Sequence, residues 1–506
     1  MATDSSTESD AYDELLSKVQ RINNVSAASM LLSWDQQVMM PEEGTPARSQ
    51  QLSTLSAVEH DLLTDDAVGD LLDDLESQDL DSGQEAVVRE VRRDYERAVR
   101  VPTDLVERIS QKTSEALPVW ETAREENDWD AFAPHVEELV DLKRQYAEHI
   151  DPDADPYAVL FADYEPCLSL ERAEEILTEI RETLVPMIAE IRASETPITT
   201  DAFEGTFDTD TQEDLAREAL TTLGYPWERG RLDVSSHPFS TGTQFDARVT
   251  TRFDESDPIG ALTSSIHEFG HATYTLGLPD DAYATPLGEH RGLSVHESQS
   301  RLWENHVGRS QAFWERFLPT MQEYFPGVES VTPREAYESV NQVYEDNLIR
   351  VEADELTYHL HIVLRFEIER ALIAGDLSVE EVPAVWNDKM DEYLGIRPDT
   401  DSDGCLQDIH WSHGSFGYFP TYSLGSAMAA QLFQAAEADL DDVDSQIRDG
   451  EFSSLKQWLR EHVHRHGQRY ETNALVREAT GEDFTADAFT DYVTGKYGAL
   501  YDLDAV

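Results

Sequence analysis

Positive charge is scarce in this sequence. The 506 residues hold 38 Lys and Arg against 103 Asp and Glu, giving a formal net charge of −65, and only six of the cations are lysine. Nucleic-acid binding relies on clustered Lys and Arg, and the sequence shows no basic patch, so the net charge argues against a nucleic-acid partner. The acids are spread along the whole chain. We interpret them as the solvated surface of a halophilic protein, screened by molar salt; the alternative is a localised acidic face that mimics nucleic acid or binds a basic partner.

Cysteines, membrane spans and linkers are also scarce or absent. The two cysteines, Cys167 and Cys405, are too few and too far apart in sequence for a disulfide framework. No apolar run is long enough to cross a membrane, and Met1–Ser6 lacks the basic and apolar regions of a secretory signal. We therefore expect a cytoplasmic protein without a membrane partner. No linker rich in Pro, Gly or Ser and no internal repeat divides the chain.

Helical periodicity dominates the chain. Apolar residues recur three and four positions apart in six stretches, at 11–32, 86–99, 105–125, 131–149, 170–194 and 211–223. Thr332-Pro333-Arg334-Glu335 combines a capping box with Pro at the first helical position, and predicts a helix that runs to about Ala374. Only Arg231–Phe253 has strand character, which predicts a small sheet. The predicted fold class is mainly α.

The segment His267-Glu268-Phe269-Gly270-His271 places two imidazoles one helical turn apart. Asp257-Pro258 supplies an N-cap and a Pro at the first helical position, so the segment is predicted to lie on a helix. Positions i and i+4 share a helix face, so His267 and His271 can bind one metal ion while Glu268 lies beside it. This arrangement is typical of a zinc hydrolase, with Glu268 as the general base.

A catalytic zinc normally takes three protein ligands, so one more is needed. His296-Glu297-Ser298-Gln299-Ser300 opens a second helical stretch, and Glu297 is the candidate. Two structural alternatives compete with it: Ser294-x-x-Glu297 fits a capping box, and Glu297 with Arg301 fits an i,i+4 ion pair. Glu304, seven residues further on, is a candidate for orienting a ligand.

Several segments of the chain resemble the carboxypeptidase Taq family of metallocarboxypeptidases. Leu32-Ser33-Trp34-Asp35-Gln36 through Met40-Pro41 resembles the family's opening segment, so the resemblance covers essentially the whole chain. The remaining motifs occur in order as His237-Pro238-Phe239, Asp246-Ala247-Arg248-Val249-Thr250, His267 to His271, His296 to Ser300, Ile349 to Asp354, and Gly404-Cys405-Leu406-Gln407-Asp408-Ile409-His410-Trp411. This resemblance favours Glu297 as the third ligand.

The resemblance also implies an architecture and a cofactor. It implies one large helical metallopeptidase fold with a deep central groove, and a small β-sheet beside the His267–His271 helix. The chain is then a single peptidase domain over 1–506, with an N-terminal helical part at about 1–225 and a metal-site and substrate-groove part at about 226–506. One divalent metal per chain is implied, zinc first and cobalt as the alternative, together with a homodimer.

Oxyanion stabilisation is expected from the segment His413 to Tyr422. In related helical metallopeptidases a His and a Tyr from such a stretch face the metal, so the resemblance implies Tyr422 and His413 as catalytic residues, with Tyr418 close to the substrate. The alternative is that these tyrosines only anchor the packing of a loop.

Recognition of a substrate's terminal carboxylate calls for an arginine, which can donate two parallel hydrogen bonds. Arg350 is the first candidate, on the helix predicted from Thr332; its structural alternative is an intrahelical pair with Asp346 or Asp354. Arg248 is the second candidate, although Asp246 beside it fits a structural ion pair. His410 and His237 belong to motifs shared with the family and are further substrate-binding candidates. They would either contact the substrate or support the residues of the site.

These residues predict a metal-dependent carboxypeptidase that releases single amino acids from the free C-termini of peptides. The enzymatic alternative is an endopeptidase or dipeptidase on a similar helical scaffold. The other alternative is a non-catalytic helical protein in which the metal is structural or absent. Glu268 argues against that second alternative, because a structural site has no use for a base and closes with a fourth protein ligand.

Overall fold

Helices form most of the structure. The computed structural model describes residues 5–503. Most of Met1–Ser6, the N-terminal stretch in which the sequence shows no secretory signal, lies outside the described residues. The helices in chain order are α1 Ser5–Val38, α2 Thr45–Leu63, α3 Asp66–Glu76, α4 Ser82–Arg100, α5 Thr103–Glu126, α6 Trp129–Ile150, α7 Pro156–Phe161, α8 Leu170–Ala193, α9 Thr209–Leu223, α10 Pro258–Gly277, α11 Leu293–Arg301, α12 Gln311–Tyr324, α13 Pro333–Val340, α14 Thr357–Ala374, α15 Val382–Leu394, α16 Pro420–Asp439, α17 Val443–Asp449, α18 Ser453–His462, α19 Thr472–Thr480 and α20 Asp487–Tyr501. The predicted mainly α class is confirmed.

The six stretches with helical periodicity all lie on helices, namely α1, α4, α5, α6, α8 and α9. Side-chain caps explain where several of them begin, because each satisfies a backbone N–H that the helix itself leaves unpaired. Asp81 and Gln84 form a reciprocal capping box at α4, Ser169 accepts from Arg172 N at α8, and Asp208 accepts from Thr211 N at α9. None of the described helices combines the length and the apolar character needed to span a bilayer.

A three-stranded sheet lies directly before α10, as the sequence predicts. Its strands are β1 Gly230–Val234, β2 Ser240–Thr243 and β3 Asp246–Thr251. The order is β1-β3-β2, with β1 parallel and β2 antiparallel to the central β3. Buried Ala247 and Val249 alternate with the more exposed Asp246 and Arg248 in the first part of β3, whereas Thr250 and Thr251 at its end are both buried. Both β2 and β3 pack on α10 and so support the helix that carries the paired histidines.

Two hydrophobic clusters form the interior. The larger extends from Val101 to Tyr501 and includes residues of α5 to α20 and the sheet. The smaller joins α1, α3 and α4 through Leu15, Leu72 and Val87, with Leu287 packed against it. Within the larger cluster α11 packs extensively against α16 and also against α10, and α16 in turn packs on α20, α8 and α14. α11 is therefore held between α10 and α16 in the interior.

The helix predicted from Thr332 to about Ala374 is wrong in its length. Thr332 and Glu335 do form the capping box, but α13 ends at Val340, and α14 begins only at Thr357. The buried Asp354 explains the interruption: one carboxylate oxygen accepts from Leu356 N and Thr357 N, and the other accepts from Tyr344 N. Side-chain bonds of this kind compete with the helical backbone pattern. The segment from Asn341 to Leu356 is consequently irregular apart from a short 3₁₀ turn.

Candidate active site

The two histidines of α10 face a glutamate of α11. Asp257 caps α10 by accepting from Gly260 N, and Pro258 occupies its first position, as predicted. The rings of His267 and His271 are 4.9 Å apart, and Oε2 of Glu297 lies 3.7 Å from His267 Nε2 and 3.5 Å from His271 Nε2. The three residues each offer a ligand atom, and these atoms all lie within 4.8 Å of one another. Two imidazoles and one carboxylate are a donor set that suits zinc and related divalent cations.

The outer ring nitrogen of each histidine has an acceptor. His267 Nδ1 lies 2.8 Å from Glu304 Oε2, and His271 Nδ1 lies 3.0 Å from the carbonyl oxygen of His296, whose own Nδ1 is 2.6 Å away. A proton held on Nδ1 by these acceptors leaves Nε2 of both rings with a free lone pair. The Nε2 atoms of both rings are directed toward Glu297, where they could serve as metal ligands.

Arginines surround the two glutamates. Arg301 donates from Nε to Glu297 Oε1 at 2.7 Å and from Nη1 to Glu304 Oε2 at 3.2 Å, while Arg309 Nη2 lies 3.3 Å from Glu304 Oε1. Burial opposes ionisation of Glu297, but Arg301 and His267 outweigh it and lower its pKa to about 2. The predicted Glu297–Arg301 pair thus forms, and it uses only one oxygen, so the other remains directed at the histidines. The capping-box alternative is wrong, because α11 begins at Leu293 and its N-cap is Gly292.

Glu268 lies between the two histidines on α10 and is only 6% exposed. Its Oε2 atom is buried and has no hydrogen-bond partner among the described residues. Burial raises the pKa of this carboxyl group, with His271 and His267 acting in the opposite direction. A buried carboxylate oxygen without a partner is costly unless another group is bound there, so Glu268 is suited to interact with a water or substrate atom.

Two glycines allow the three helices of the site to approach closely. A Cβ on Gly270 would lie 2.4 Å from Cα of Ser300, so α10 and α11 touch backbone to backbone. A Cβ on Gly425 of α16 would lie 2.5 Å from both Cβ and Cγ of Glu297. Any larger residue would collide at either position. Gly425 has no motif signal in the sequence, and only the packing of α16 on α11 reveals it.

Arg350 is not on a long helix, contrary to the sequence prediction. It lies in the 3₁₀ turn Arg350–Glu352 and is 7% exposed. Its partner is neither Asp346 nor Asp354 but Asp408, whose Oδ1 accepts from Nη2 at 2.7 Å and from Nε at 2.9 Å. Asp408 belongs to the Gly404–Trp411 motif, and its Oδ2 also accepts from Arg365 Nε at 2.6 Å. The two motifs are therefore joined through one buried carboxylate.

Tyr358 links this cluster to the histidine site. Its ring centre lies 4.8 Å from the guanidinium carbon of Arg301 and 5.9 Å from that of Arg350, and its hydroxyl is 3.3 Å from Arg350 Nη1. Tyr422 is in contact with the same group: its ring is 5.9 Å from that of Tyr358 and 5.5 Å from the Arg350 guanidinium. Sequence reasoning missed Tyr358, since its place on α14 gives it no distinguishing spacing.

Tyr422 is on a helix, not in a loop, because α16 begins at Pro420. Tyr418 lies directly before that helix, with its ring 5.3 Å from Tyr422 and 5.5 Å from His410. Burial lowers the pKa of His410 to about 4. His413 is exposed and makes no ring contact with either tyrosine in the described part of the chain. The structure brings the Tyr422, Tyr418 and His410 side chains together, whereas His413 joins them through its backbone, whose N–H donates to the His410 carbonyl oxygen at 3.2 Å.

The remaining two candidates lie on and beside the sheet. Arg248 of β3 donates from Nη2 to Asp246 Oδ2 at 2.6 Å, so the predicted ion pair forms, and its guanidinium carbon is 4.2 Å from the Trp34 ring centre. His237 is exposed and lies before β2, and its carbonyl oxygen accepts from Ser235 Oγ. Neither has a described contact with His267, His271 or Glu297.

Comparisons with known proteins match nearly the whole chain. The family model described as "Carboxypeptidase Taq (M32) metallopeptidase" matches residues 14–497. "Thermostable carboxypeptidase 1" of Thermus thermophilus is 38% identical over 505 residues, covering 97% of this chain and 99% of the relative. "Carboxypeptidase 1" of Bacillus subtilis is 35% identical over 492 residues, covering 96% and 98%.

Solved structures agree in fold. An M32 carboxypeptidase from Deinococcus radiodurans superposes with a TM-score of 0.94 at 37% identity, covering 98% of this chain and all of that one. A Pyrococcus furiosus carboxypeptidase superposes with a TM-score of 0.93 at 35% identity, covering 96% and 99%. With the family model matched over nearly the whole length and relatives well above 30% identity, the chain belongs to the carboxypeptidase Taq (M32) family of metallopeptidases.

Proposed function

We propose that this protein removes single amino acids from the free C-termini of peptides, using one zinc ion held by His267, His271 and Glu297. The observation that carries the proposal is the convergence of three ligand atoms within 4.8 Å, beside a buried carboxylate oxygen of Glu268 that has no described partner. A catalytic zinc ion takes three protein ligands and leaves its fourth coordination position to water or substrate. Cobalt suits the same donor set and is the alternative cation.

The chemistry follows from the residues around this centre. A divalent cation, when bound, polarises a peptide carbonyl and lowers the pKa of water. Glu268 accepts a proton from the attacking water at its free oxygen and then delivers that proton to the departing amine. The hydroxyl of Tyr422 is the proposed donor to the developing oxyanion; its burial, with Tyr418 and Tyr358 nearby, raises its pKa well above the ordinary value, so it keeps its proton.

Arg350 is the proposed partner of the substrate's terminal carboxylate. Asp408 orients its guanidinium through Nε and Nη2, while Nη1 donates to the Tyr358 hydroxyl at 3.3 Å and has no other hydrogen-bond partner among the described residues. Tyr358 contacts both this arginine and Arg301, and Arg301 donates to Glu297 directly. A carboxylate held at Arg350 would therefore be linked to the metal ligands through Tyr358 and Arg301. We assign Tyr418 and His410 to the same end of the substrate, with Arg248, His237 and His413 as more distant contributors.

The proposal also includes the salt conditions, the assembly and the location of the enzyme. A net charge of −65 spread over the chain supports a halophilic protein that works at high salt. The family resemblance supports a single peptidase domain and a homodimer, and the sequence supports a cytoplasmic location. The enzymatic alternative, an endopeptidase or dipeptidase on this scaffold, differs in whether the substrate's free carboxylate is needed.

Product analysis on paired peptides tests the assignment. The wild type should release residues one at a time from an unblocked peptide, and it should act poorly on the same peptide with an amidated C-terminus. Arg350→Ala should impair cleavage of the unblocked peptide and change cleavage of the amidated one little. Arg334→Ala is the matched control, because Arg334 also pairs with one carboxylate, that of Glu338, but at an exposed position on α13. Rapid internal cleavage of the amidated peptide by the wild type would identify an endopeptidase.

A further inference from the structure

The helix that carries Glu297 has no cap of its own. α11 spans only Leu293–Arg301, and its N-cap is Gly292, which has no side chain to accept from the first backbone N–H groups. A π-helical turn continues α11 to Gly308, but the N–H groups of its first turn have no partner within the helix, and unpaired N–H groups in the interior are costly. The first turn of α11 therefore depends on acceptors from elsewhere in the chain.

Glu165, just after α7, supplies those acceptors. Its Oε1 accepts from Ser294 N, and its Oε2 accepts from Ser294 Oγ at 2.7 Å. The preceding residue adds a backbone bond, since Leu293 N donates to Tyr164 O at 3.1 Å. The first two residues of α11 are thus bound by a segment about 130 positions earlier in the sequence.

The fit between this carboxylate and the helix start is tight. Glu165 is 0% exposed, and a Cβ on Gly292 would lie 2.6 Å from its Oε2 atom. The backbone of Glu165 is itself held by the end of α7, where its N–H donates to Phe161 O at 2.9 Å. Burial raises the pKa of Glu165 to about 8, although Ser294 donates to it from both N and Oγ, so the cap does not depend on a charged carboxylate. Gly292 is therefore the residue that permits an external cap, and Glu165 is that cap.

We propose that Glu165 is a positioning residue for the metal site, which acts by fixing the first turn of α11 and thereby the carboxylate of Glu297. This inference rests on the proposed function, in which Glu297 binds the metal. Glu297 is three residues after Ser294, one turn from the cap, and its two oxygens must meet Arg301 and the two histidines at once. Loss of the cap frees that turn and misplaces the oxygen that faces the histidines.

Metal affinity, measured by competition with a chromophoric chelator, is the direct test. Glu165→Ala should weaken Zn²⁺ binding by about 10–100-fold, the usual effect of losing a group that orients a ligand. Glu165→Gln should stay within a few-fold of the wild type, because the amide can accept from Ser294 N and donate to Ser294 Oγ. The Co²⁺-loaded proteins give a second readout: the visible absorption of Glu165→Ala should differ from the wild type, and that of Glu165→Gln should not.

A matched control separates positioning from general destabilisation. Glu369→Gln alters another fully buried glutamate, which accepts from Tyr157 OH, Trp411 Nε1 and Gly417 N but does not contact α11 through any of them. It should lower the melting temperature and leave Zn²⁺ affinity unchanged. The proposal is overturned if Glu165→Ala binds Zn²⁺ like the wild type, if Glu369→Gln loses as much affinity, or if Glu165→Gln binds as weakly as Glu165→Ala. A wild type that binds no Zn²⁺ would instead overturn the proposed function.

Discussion

His267 Nδ1 lies 2.8 Å from Oε2 of Glu304, although the two residues are 37 positions apart in the sequence and belong to different helical segments. Glu304 lies in the π-helical turn Leu302–Gly308 that continues α11. Its carboxylate also accepts hydrogen bonds from Arg301 and Arg309. A π-helical turn displaces side chains relative to a regular α-helix, and such turns are frequent at functional sites. The continuation of α11 thus orients a histidine of α10, while α11 itself contributes Glu297.

Glu304→Ala should weaken metal binding by about 10–100-fold, because His267 loses the acceptor that fixes its ring and proton. Metal titration by chelator competition measures the change. Glu367→Ala is the control, since Glu367 also pairs with two cations, Arg181 and Lys389, but has no described contact with the site. Equal affinity of Glu304→Ala and the wild type would show that the 2.8 Å contact does not orient a metal ligand.

Gly425→Ala should destabilise the protein and weaken metal binding. Alanine in place of glycine normally stabilises a helix by about 1 kcal/mol. Here the new methyl would lie 2.5 Å from Cβ and Cγ of Glu297, and overpacking of this kind costs about 1–3 kcal/mol. Gly498→Ala on α20 is the matched control, because a Cβ there meets nothing within 4 Å. Melting temperatures should fall for the first variant and hold or rise for the second; the same sign for both would contradict the packing argument.

Stability should depend on pH through Glu369. Burial raises its pKa to about 7, although Gly417 N, Trp411 Nε1 and Tyr157 OH all donate to it. The folded protein then holds a proton there that the unfolded chain releases near its ordinary pKa of 4.5. This group's contribution to the free energy of unfolding is full below pH 4.5 and declines as pH rises to about 7.

Glu369→Gln removes this titration. The melting temperature of the wild type minus that of the variant should be larger at pH 5 than at pH 8, both measured in the same molar salt. A difference that is constant across that range, or that grows with pH, would show that Glu369 does not bind its proton with raised affinity in the folded state.

Local signals in the sequence located the metal-binding helix well. Asp257, Pro258 and the spacing of His267 and His271 predicted α10, and α10 forms with that cap. The strand character of Arg231–Phe253 predicted the sheet. These features depend on neighbours within one turn or one strand, so spacing alone carries the information.

Contacts between distant segments could not be predicted in this way. The capping box at Thr332 predicts Arg350 on one continuous helix, but buried Asp354 accepts from backbone N–H groups on both sides and interrupts that helix. The Arg350–Asp408 pair joins residues 58 apart. Glu165 and Gly425 act on α11 only through tertiary packing. No local periodicity distinguishes such residues from ordinary buried ones.

Salt should stabilise the enzyme and activate it. With a net charge of −65, the folded chain repels itself in dilute buffer, and molar KCl shortens the screening length to about 3 Å. Melting temperature and peptidase activity should both rise between low salt and molar KCl, and NaCl should act alike. A protein equally stable in both conditions would contradict the halophilic interpretation.

The central claim is that Glu268 serves the reaction without holding the metal. Metal content and release of the C-terminal residue from an unblocked peptide, measured on Glu268→Gln, test it most directly. Glu297→Ala should lose the metal, whereas Glu268→Gln should keep one metal ion per chain and lose about 10²–10⁴-fold in turnover, the contribution of a general base. Near-wild-type turnover in Glu268→Gln, or loss of its metal, would contradict the account.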